Sequence, residues 1–309
     1  MTNVDAVQAQ TPAAPTPGSD PDGKPATGFR ANKRKFAWVD NWHYVVLVIA
    51  VAVSIFPFYW IFVVASNTSA VTSQVPPRIV PGPNFIVNAT EAISRVPFVS
   101  ALVNSFVVAT VTTISSVFFG TLAGFAFAKM RFPGRNVLMT FVIATMLIPL
   151  QQLGLIPLYM LMDRFGWVGS LRAVIVPAMV TGFGVFWMRQ VIATSVHDEL
   201  LEAGRVDGCT MFGLFRHVVI PSVRSGAAVL GMFTFLFAWN DFLWPLVVLG
   251  GNQSSHTIQL ALRQMNQTYY AEHSMVLAGT FMSLIPLLIV FVVFSRQMIA
   301  GLTEGAVKG

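Results

Sequence analysis

The chain has 309 residues, of which 55% are hydrophobic and only 10% are charged. A typical soluble domain carries about 25% charged residues, so this composition predicts a membrane protein. The formal net charge of +6 is therefore interpreted as membrane topology and attraction to anionic lipid, and not as nucleic-acid binding.

Residues 1–40 are rich in Ala, Pro, Thr, Gly and Asp and are expected to form a disordered cytoplasmic tail. The first apolar run begins near His43, too far into the chain for a signal peptide. Residues 18–24 match the spacing of a phosphate-binding loop, but Pro25 replaces the required Ser or Thr and no strand precedes it. We therefore expect no ATP hydrolysis by this chain.

Cofactor and metal chemistry is not predicted. The single cysteine, Cys209, rules out a disulfide within the chain and a cysteine-based metal site. No two of the five histidines have the spacing that would place them as metal ligands on one helix face.

Six long apolar runs follow the tail. A helix of about 20 apolar residues crosses the hydrocarbon core of a bilayer. Backbone polar groups must be satisfied internally in lipid, and the runs lack the alternation of barrel strands. The predicted fold class is an all-α membrane protein with six transmembrane helices, at residues 43–65, 100–128, 136–160, 171–193, 225–249 and 274–300.

Proline and glycine positions predict local geometry inside these runs. A proline in a helix removes a backbone hydrogen bond and bends the chain. In the second run, Gly120 and Gly124 form a small-xxx-small motif, which predicts close helix packing. The prolines are Pro57, Pro149, Pro157, Pro177, Pro245 and Pro286.

The distribution of Lys and Arg predicts the orientation, because cytoplasmic segments carry an excess of both. With the N-terminus inside, 14 of the 19 basic residues lie on the cytoplasmic side, so both termini are predicted to be cytoplasmic. The remaining basic residues, on the outer side, are Arg78, Arg95, Arg164, Arg172 and Arg263.

The segment between the fourth and fifth runs, residues 194–224, is too polar to span a membrane and too patterned for a plain linker. Asp198 and Glu199 open a helical stretch, since acids are favoured at a helix N-terminus. Gly208 interrupts it, and a second amphipathic helix is expected to end at Pro221. Two short helices on the cytoplasmic face fit this pattern, and their surface needs a partner or the lipid interface.

This loop resembles the EAA loop of ABC importer permeases. That pattern reads Glu-Ala-Ala, three residues, Gly, nine residues, Ile, one residue and Leu-Pro. The spacing is the same here, with Gly204 for the second Ala, Val218 for Ile and Ile220 for Leu. Gly204 is expected to loosen the helix by roughly 1 kcal/mol relative to Ala. The residues at the pattern's positions are Glu202, Ala203, Gly204, Gly208, Val218, Ile220 and Pro221.

Other segments are similar to permeases of carbohydrate-uptake ABC importers, especially the smaller permease of the maltose type. The resemblance extends from about Asn104 to the end of the chain. It implies a type I ABC importer permease fold, with cytoplasmic coupling helices between helices four and five. It also implies a heterodimer with a second permease, a cytoplasmic ABC ATPase dimer and an extracytoplasmic sugar-binding protein. The segments are residues 131–135, 156–159, 239–246 and 301–309.

The resemblance also implies a set of ATPase-coupling residues. Gly208 would permit a sharp turn and close approach to the ATPase. The carboxylates of Glu202 and Asp207 would bind basic or N–H groups of the partner. The alternative is that these acids only cap and solvate a surface helix. The implied coupling residues are Glu202, Ala203, Gly204, Asp207, Gly208 and Pro221.

Five polar or aromatic residues inside apolar runs are candidates for the transport pathway. Intramembrane carboxylates are costly and usually functional. Asp241 is such a residue, although it lies toward the outer end of its run and not at the midplane. Each candidate has an alternative role in helix packing, and Trp is also an interfacial anchor. The candidates are Gln151, Gln152, Trp239, Asn240 and Asp241.

The predicted organisation is a tail (1–40), a first transmembrane helix with an external loop (41–99), a permease core (100–300) and a cytoplasmic C-terminal tail (301–309). The predicted function is import of a mono- or oligosaccharide across the bacterial cell membrane, with glycerol phosphate or a polyol as alternative cargo. A secondary transporter would need midplane ionisable residues and internal repeats. A membrane-embedded enzyme would need clustered reactive side chains inside the runs, and the sequence has neither.

Overall fold

The computed structural model describes residues 41–70, 74–76, 78–148, 153–266 and 272–306, so the predicted N-terminal tail, Pro149, Gln151 and Gln152 lie outside the described residues. Within these ranges the regular structure is helical. A 3₁₀ turn lies at Gln253–Ser255. In chain order the helices are α1 (Asn41–Ala65), α2 (Phe85–Arg95), α3 (Phe98–Lys129), α4 (Arg135–Leu147), α5 (Leu155–Arg164), α6 (Arg172–Ala178), α7 (Gly182–Ser195), α8 (Asp198–Val206), α9 (Met211–Ser222), α10 (Arg224–Asn240), α11 (Leu243–Leu249), α12 (Ile258–Asn266) and α13 (His273–Ala306).

The chain divides between Ser54 and Ile55 into two units. Of the first unit, the structure describes the N-terminal half of α1, whose side chains from Trp42 onward are exposed. The second unit, Ile55–Gly309, contains the remaining helices and the candidate coupling and pathway residues.

Within the described ranges, four helical stretches are long and apolar enough to cross a membrane. They are α1, α3, α6 with α7, and α13, and a fifth is obtained if α9 and α10, bent by 77°, count as one span. The third predicted run does not form one continuous helix in the described chain. It is represented by α4, which ends at Leu147, and by α5, which begins at Leu155. The predicted count of six spans therefore stays a prediction.

The fifth predicted run, 225–249, was expected to be one helix, and this expectation is wrong. Helix α10 ends at Asn240, Asp241 is extended with φ −65° and ψ 123°, and α11 starts at Leu243. Pro245 lies in the first turn of α11. Backbone N–H groups in the first turn have no acceptor within the helix, so the proline, which lacks an N–H, breaks no helical hydrogen bond there. A new helix start just before this proline satisfies that constraint, whereas a continuous helix would not.

Helix α3 packs most extensively against α7 and α10. A Cβ on Gly120 would lie 3.0 Å from the carbonyl oxygen of Gly184, and one on Gly124 would lie 2.7 Å from the amide nitrogen of Arg189. Both glycines are therefore needed where the backbones of α3 and α7 meet, which confirms the close packing predicted from the small-xxx-small motif.

A buried cluster joins the C-terminal ends of α3 and α7 to α8 and α9. Phe125 of α3 contacts Phe215 of α9, with their ring centroids 5.9 Å apart. Leu201, Leu214 and Val219 are buried in the same cluster. The loop that contains the coupling candidates is thus packed onto the helices that cross the membrane.

Candidate functional site

Helix α8 begins as the sequence predicted, at Asp198, with two acids in its first turn. At its other end Gly208 has φ 79°, and its N–H donates to the carbonyl of Arg205 at 3.0 Å. The next N–H, of Cys209, donates to the carbonyl of Gly204 at 2.9 Å and completes a Schellman turn. The chain therefore needs a residue at position 208 that tolerates the left-handed conformation.

Gly204 lies where α8 contacts α9. An ideal Cβ at this position would lie 2.5 Å from Cδ2 of Leu214, which is far inside normal contact distance. Leu214 is itself buried, beside Leu201 and Phe215. The residue expected to loosen α8 thus allows the two helices to pack, and the alanine of the family pattern would displace Leu214.

Helix α9 is irregular. The Thr210 side chain caps its start. Residues Phe215–Val219 then form a π turn, a feature that sequence analysis did not predict. The helix was expected to end at Pro221 but continues one residue further, to Ser222. The π turn directly before this proline already departs from the i→i−4 bonding that a proline breaks, since the N–H of Ile220 donates to the carbonyl of Phe215. The bend of 77° follows immediately, so α9 and α10 run in different directions.

The outward face of the α8–α9 turn combines acids with uncovered apolar side chains. Glu202, Ala203 and Asp207 are exposed. Val206 is 89% exposed and Phe212 is 68% exposed. Exposed apolar side chains bordered by polar ones are typical of a surface that binds another protein or a membrane. We name this face, made of these five residues, the coupling face.

An ion pair ties α8 to the central helix. Nζ of Lys129, the last residue of α3, donates to Oδ1 of Asp198, the first residue of α8, at 2.7 Å. The Lys129 side chain is only 12% exposed. Its hydrogen bond and then its charge hold the pKa of Asp198 below the usual value, and Arg131 and Arg205 add to this effect. Each charge also lies at the helix end where the macrodipole favours it.

This pair was missed by sequence analysis. Its members are 69 residues apart in the chain, and a helix-terminal Lys or Asp is common on any surface. The only sequence signal was that each stands at a predicted helix boundary.

Among the residues that the structure describes, no group of three or more His, Cys, Asp or Glu side chains is placed to hold a metal ion.

The first pathway candidate, Trp239, is a core residue in this chain. Its side chain is 1% exposed and stacks on Phe235, with ring centroids 5.7 Å apart and an interplanar angle of 18°. The surrounding helices of the chain therefore cover the indole, so that it reaches neither a sugar in the pathway nor the membrane interface.

Asn240 and Asp241 lie at the break between α10 and α11. Asn240 is exposed, and its side-chain amide donates to the carbonyl of Leu236 at 2.8 Å. Asp241 is half-buried. The other two candidates, Gln151 and Gln152, lie outside the described residues.

Comparison with known proteins identifies similar permeases. The chain is 37% identical over 206 residues to the arabinooligosaccharides transport system permease protein AraQ of Halalkalibacterium halodurans, covering 67% of this chain and 73% of that protein. It is 32% identical to the lactose transport system permease protein LacG of Rhizobium radiobacter, covering 86% and 95%. It is 29% identical to the sn-glycerol-3-phosphate transport system permease protein UgpE of Yersinia pestis, covering 86% and 96%.

Among solved structures, the chain resembles a subunit of a bacterial ABC transporter involved in the import of the acidic polysaccharide alginate. The TM-score is 0.71 at 21% identity, covering 83% of this chain and 95% of that one, so this likeness shows the fold. Residues 116–297 match the family described as the binding-protein-dependent transport system inner membrane component. The chain belongs to this family, the membrane-embedded permease subunits of ABC importers.

Proposed function

We propose that this chain imports a mono- or oligosaccharide across the bacterial cell membrane, driven by ATP hydrolysis on a separate subunit. The family membership and the relatives named for arabinooligosaccharides and lactose support this cargo. The relative named for sn-glycerol-3-phosphate makes that anion the second candidate. The expected partners are a second related permease, a cytoplasmic ABC ATPase dimer and an extracytoplasmic sugar-binding protein.

The observation that carries the coupling proposal is the geometry of α8 and α9. The coupling face exposes two acids beside Val206 and Phe212, and the opposite face of α8 is packed into the bundle through Leu201. A partner that binds the outer face therefore pushes on a short rigid helix. We infer that ATPase closure moves α8, and that the buried cluster and the Lys129–Asp198 ion pair pass this displacement to α3.

The topology proposed for the chain has six spans and both termini in the cytoplasm. The third span is assigned to α4 together with α5, and the fifth to α10 together with α11. This topology places the α8–α9 loop on the cytoplasmic side, where an ATPase can reach it. It is supported by the excess of Lys and Arg in the segments on that side.

The pathway proposal keeps Gln151, Gln152, Asn240 and Asp241 and gives Trp239 a supporting role. Irregular backbone at membrane depth is tolerated where it lines a cavity or is buried in protein. The helix breaks after Asn240, so the backbone at Asp241 is irregular and its polar groups are not bonded within a helix. Trp239, buried against Phe235, would hold the end of α10 in position instead of stacking on a sugar.

The test of coupling uses two substitutions at Gly208 in the reconstituted complex of both permeases, the ATPase and the binding protein. Gly208→Val places a β-branched residue at φ 79° and should reduce sugar-stimulated ATPase activity roughly tenfold. Gly208→Asn is the matched control, because Asn tolerates the left-handed conformation and no neighbour lies within 4 Å of a Cβ there.

Retention of the ATPase subunit is measured on the same samples, together with uptake of sugars and of glycerol 3-phosphate. A correctly folded Gly208→Val complex with full stimulated activity would contradict the coupling proposal. Uptake of glycerol 3-phosphate and of no tested sugar would contradict the carbohydrate proposal while leaving the coupling proposal intact.

A further inference from the structure

The loop between α3 and α4 forms an open cleft of about 450 Å³. The loop begins directly after Lys129, which is bound to Asp198 at the start of α8. Gly134, with φ 78°, turns the chain at the N-cap of α4. The cleft is lined by Arg131, Phe132, Gly134, Arg135, Asn136 and Val137. The transport mechanism proposed above makes no use of it.

The cleft has uncompensated positive charge. In the part of the chain that the structure describes, no carboxylate forms an ion pair with Arg131 or Arg135. Among the described residues, Nη1 of Arg135 donates a side-chain hydrogen bond to the carbonyl of Met130 at 3.3 Å. The nearby carboxylate of Asp198 is bound by Lys129 at 2.7 Å. Two guanidinium groups are therefore available to an anion, and guanidinium binds phosphate in bidentate geometry.

An apolar surface begins directly at this charged cleft. Helix α4 is among the apolar helices, and none of its side chains is buried. Val137 is 74% exposed and Phe141 is 69% exposed. No side chain caps the first turn of α4, so the positive end of its macrodipole adds to the field of the arginines.

We propose that this cleft binds the phosphate of an anionic phospholipid, with Arg131 and Arg135 holding the headgroup and the exposed side of α4 contacting the acyl chains. This commits to a ligand with a negative head and an apolar tail, because the two features adjoin in the structure. Basic pockets at membrane level are suited to such headgroups. Only the assignment of the cleft to the cytoplasmic leaflet rests on the proposed function.

The position of the cleft connects it to coupling. Asp198 is held mainly by Lys129, and Arg131 is also close enough to act electrostatically on the same carboxylate. A phosphate bound between Arg131 and Arg135 would neutralise part of this field. The headgroup would then steady the α3–α4 loop beside the first turn of α8.

The test is native mass spectrometry of the complete importer in detergent, without ATP or sugar. Phosphatidylglycerol, phosphatidylcholine with the same acyl chains, and inorganic phosphate are titrated separately. We expect saturable binding of phosphatidylglycerol that the double variant Arg131→Gln, Arg135→Gln weakens roughly 30-fold, from about 1 kcal/mol for each basic residue. The matched control, Arg164→Gln with Arg172→Gln, removes two exposed arginines elsewhere and should leave binding unchanged.

A third variant distinguishes the sources of phosphate. Phe141→Ser should weaken the binding of phosphatidylglycerol and leave the binding of inorganic phosphate unchanged. If both ligands bind equally well and Phe141→Ser has no effect, free phosphate is the ligand and the lipid assignment is overturned. Equal binding of the two phospholipids would overturn the proposal. So would a double variant that releases the ATPase while binding phosphatidylglycerol normally, because the arginines would then serve a protein partner. Since no turnover is measured, failure of the lipid site and failure of the coupling proposal remain distinguishable.

Discussion

Gly204 is a residue whose role depends on one neighbour. Helix propensity alone favours alanine over glycine by roughly 1 kcal/mol. The space between α8 and α9 opposes this preference, because a Cβ would lie 2.5 Å from Cδ2 of the buried Leu214. Overpacking a core costs roughly 1–3 kcal/mol, which equals or exceeds this propensity difference, so we expect packing to outweigh propensity at this position.

We therefore predict that Gly204→Ala lowers the unfolding temperature of the complex, and that adding Leu214→Val, which removes the clashing Cδ2, recovers part of the loss. Thermal unfolding of the single and double variants measures their interaction energy. Gly213→Ala is the control, since a Cβ there meets nothing closer than 3.4 Å. Strictly additive effects of Gly204→Ala and Leu214→Val would show that the two positions are independent.

At the scale of elements, the attachment of α8 to α3 combines an apolar cluster with one ion pair. Lys129 lowers the pKa of Asp198. A group whose folded pKa is depressed stabilises the fold above its unfolded pKa, and this contribution is lost as the pH falls through the folded pKa. The contribution of the pair is therefore fully present at neutral pH, and it disappears only in acid, below the ordinary aspartate value of 3.8.

We predict that the coupling energy between Lys129→Gln and Asp198→Asn, from a double-mutant cycle on unfolding, stays constant between about pH 5 and pH 8 and declines below that range. High salt should reduce it, because the carboxylate is exposed. The sugar-stimulated ATPase activity of both single variants is measured in parallel. A coupling energy that changes between pH 6 and pH 8 would mean that another group, and not Asp198, titrates with the contact.

At the scale of the whole molecule, the proposed orientation is open to a direct test because the chain has a single cysteine. Cys209 is exposed and lies directly after Gly208, in the turn between α8 and α9. We predict that a membrane-impermeant maleimide labels Cys209 in inside-out vesicles and not in intact cells. Bound ATPase should protect it, since the coupling face is adjacent.

The outer side has a matched reporter, Gln253→Cys in a Cys209→Ser background, because Gln253 is exposed in the predicted external loop. It should react in intact cells. Labelling of Cys209 from outside would show that the orientation is the reverse of the proposed one. The loop between α8 and α9 would then lie on the side of the membrane opposite the ATPase. Labelling of both positions from the same side would contradict the proposed fifth span.

Features that depend on nearby residues were predictable from the sequence. The apolar runs predicted membrane helices because transfer of apolar surface into lipid is a property of composition. The acids that open α8 and the left-handed turn at Gly208 follow from local electrostatics and sterics. The match to residues 116–297 then assigned the family to which that pattern belongs.

Features that depend on distant residues were decided by the tertiary structure. The burial of Trp239 and the contact that excludes a side chain at Gly204 each require a partner on another helix. The Lys129–Asp198 pair joins residues 69 positions apart. Sequence alone determined that this is a membrane protein, and it predicted the turn at Gly208. Packing decided which residues face that turn and which lie in the core, because a side chain's role there is set by what lies within a few ångströms of it.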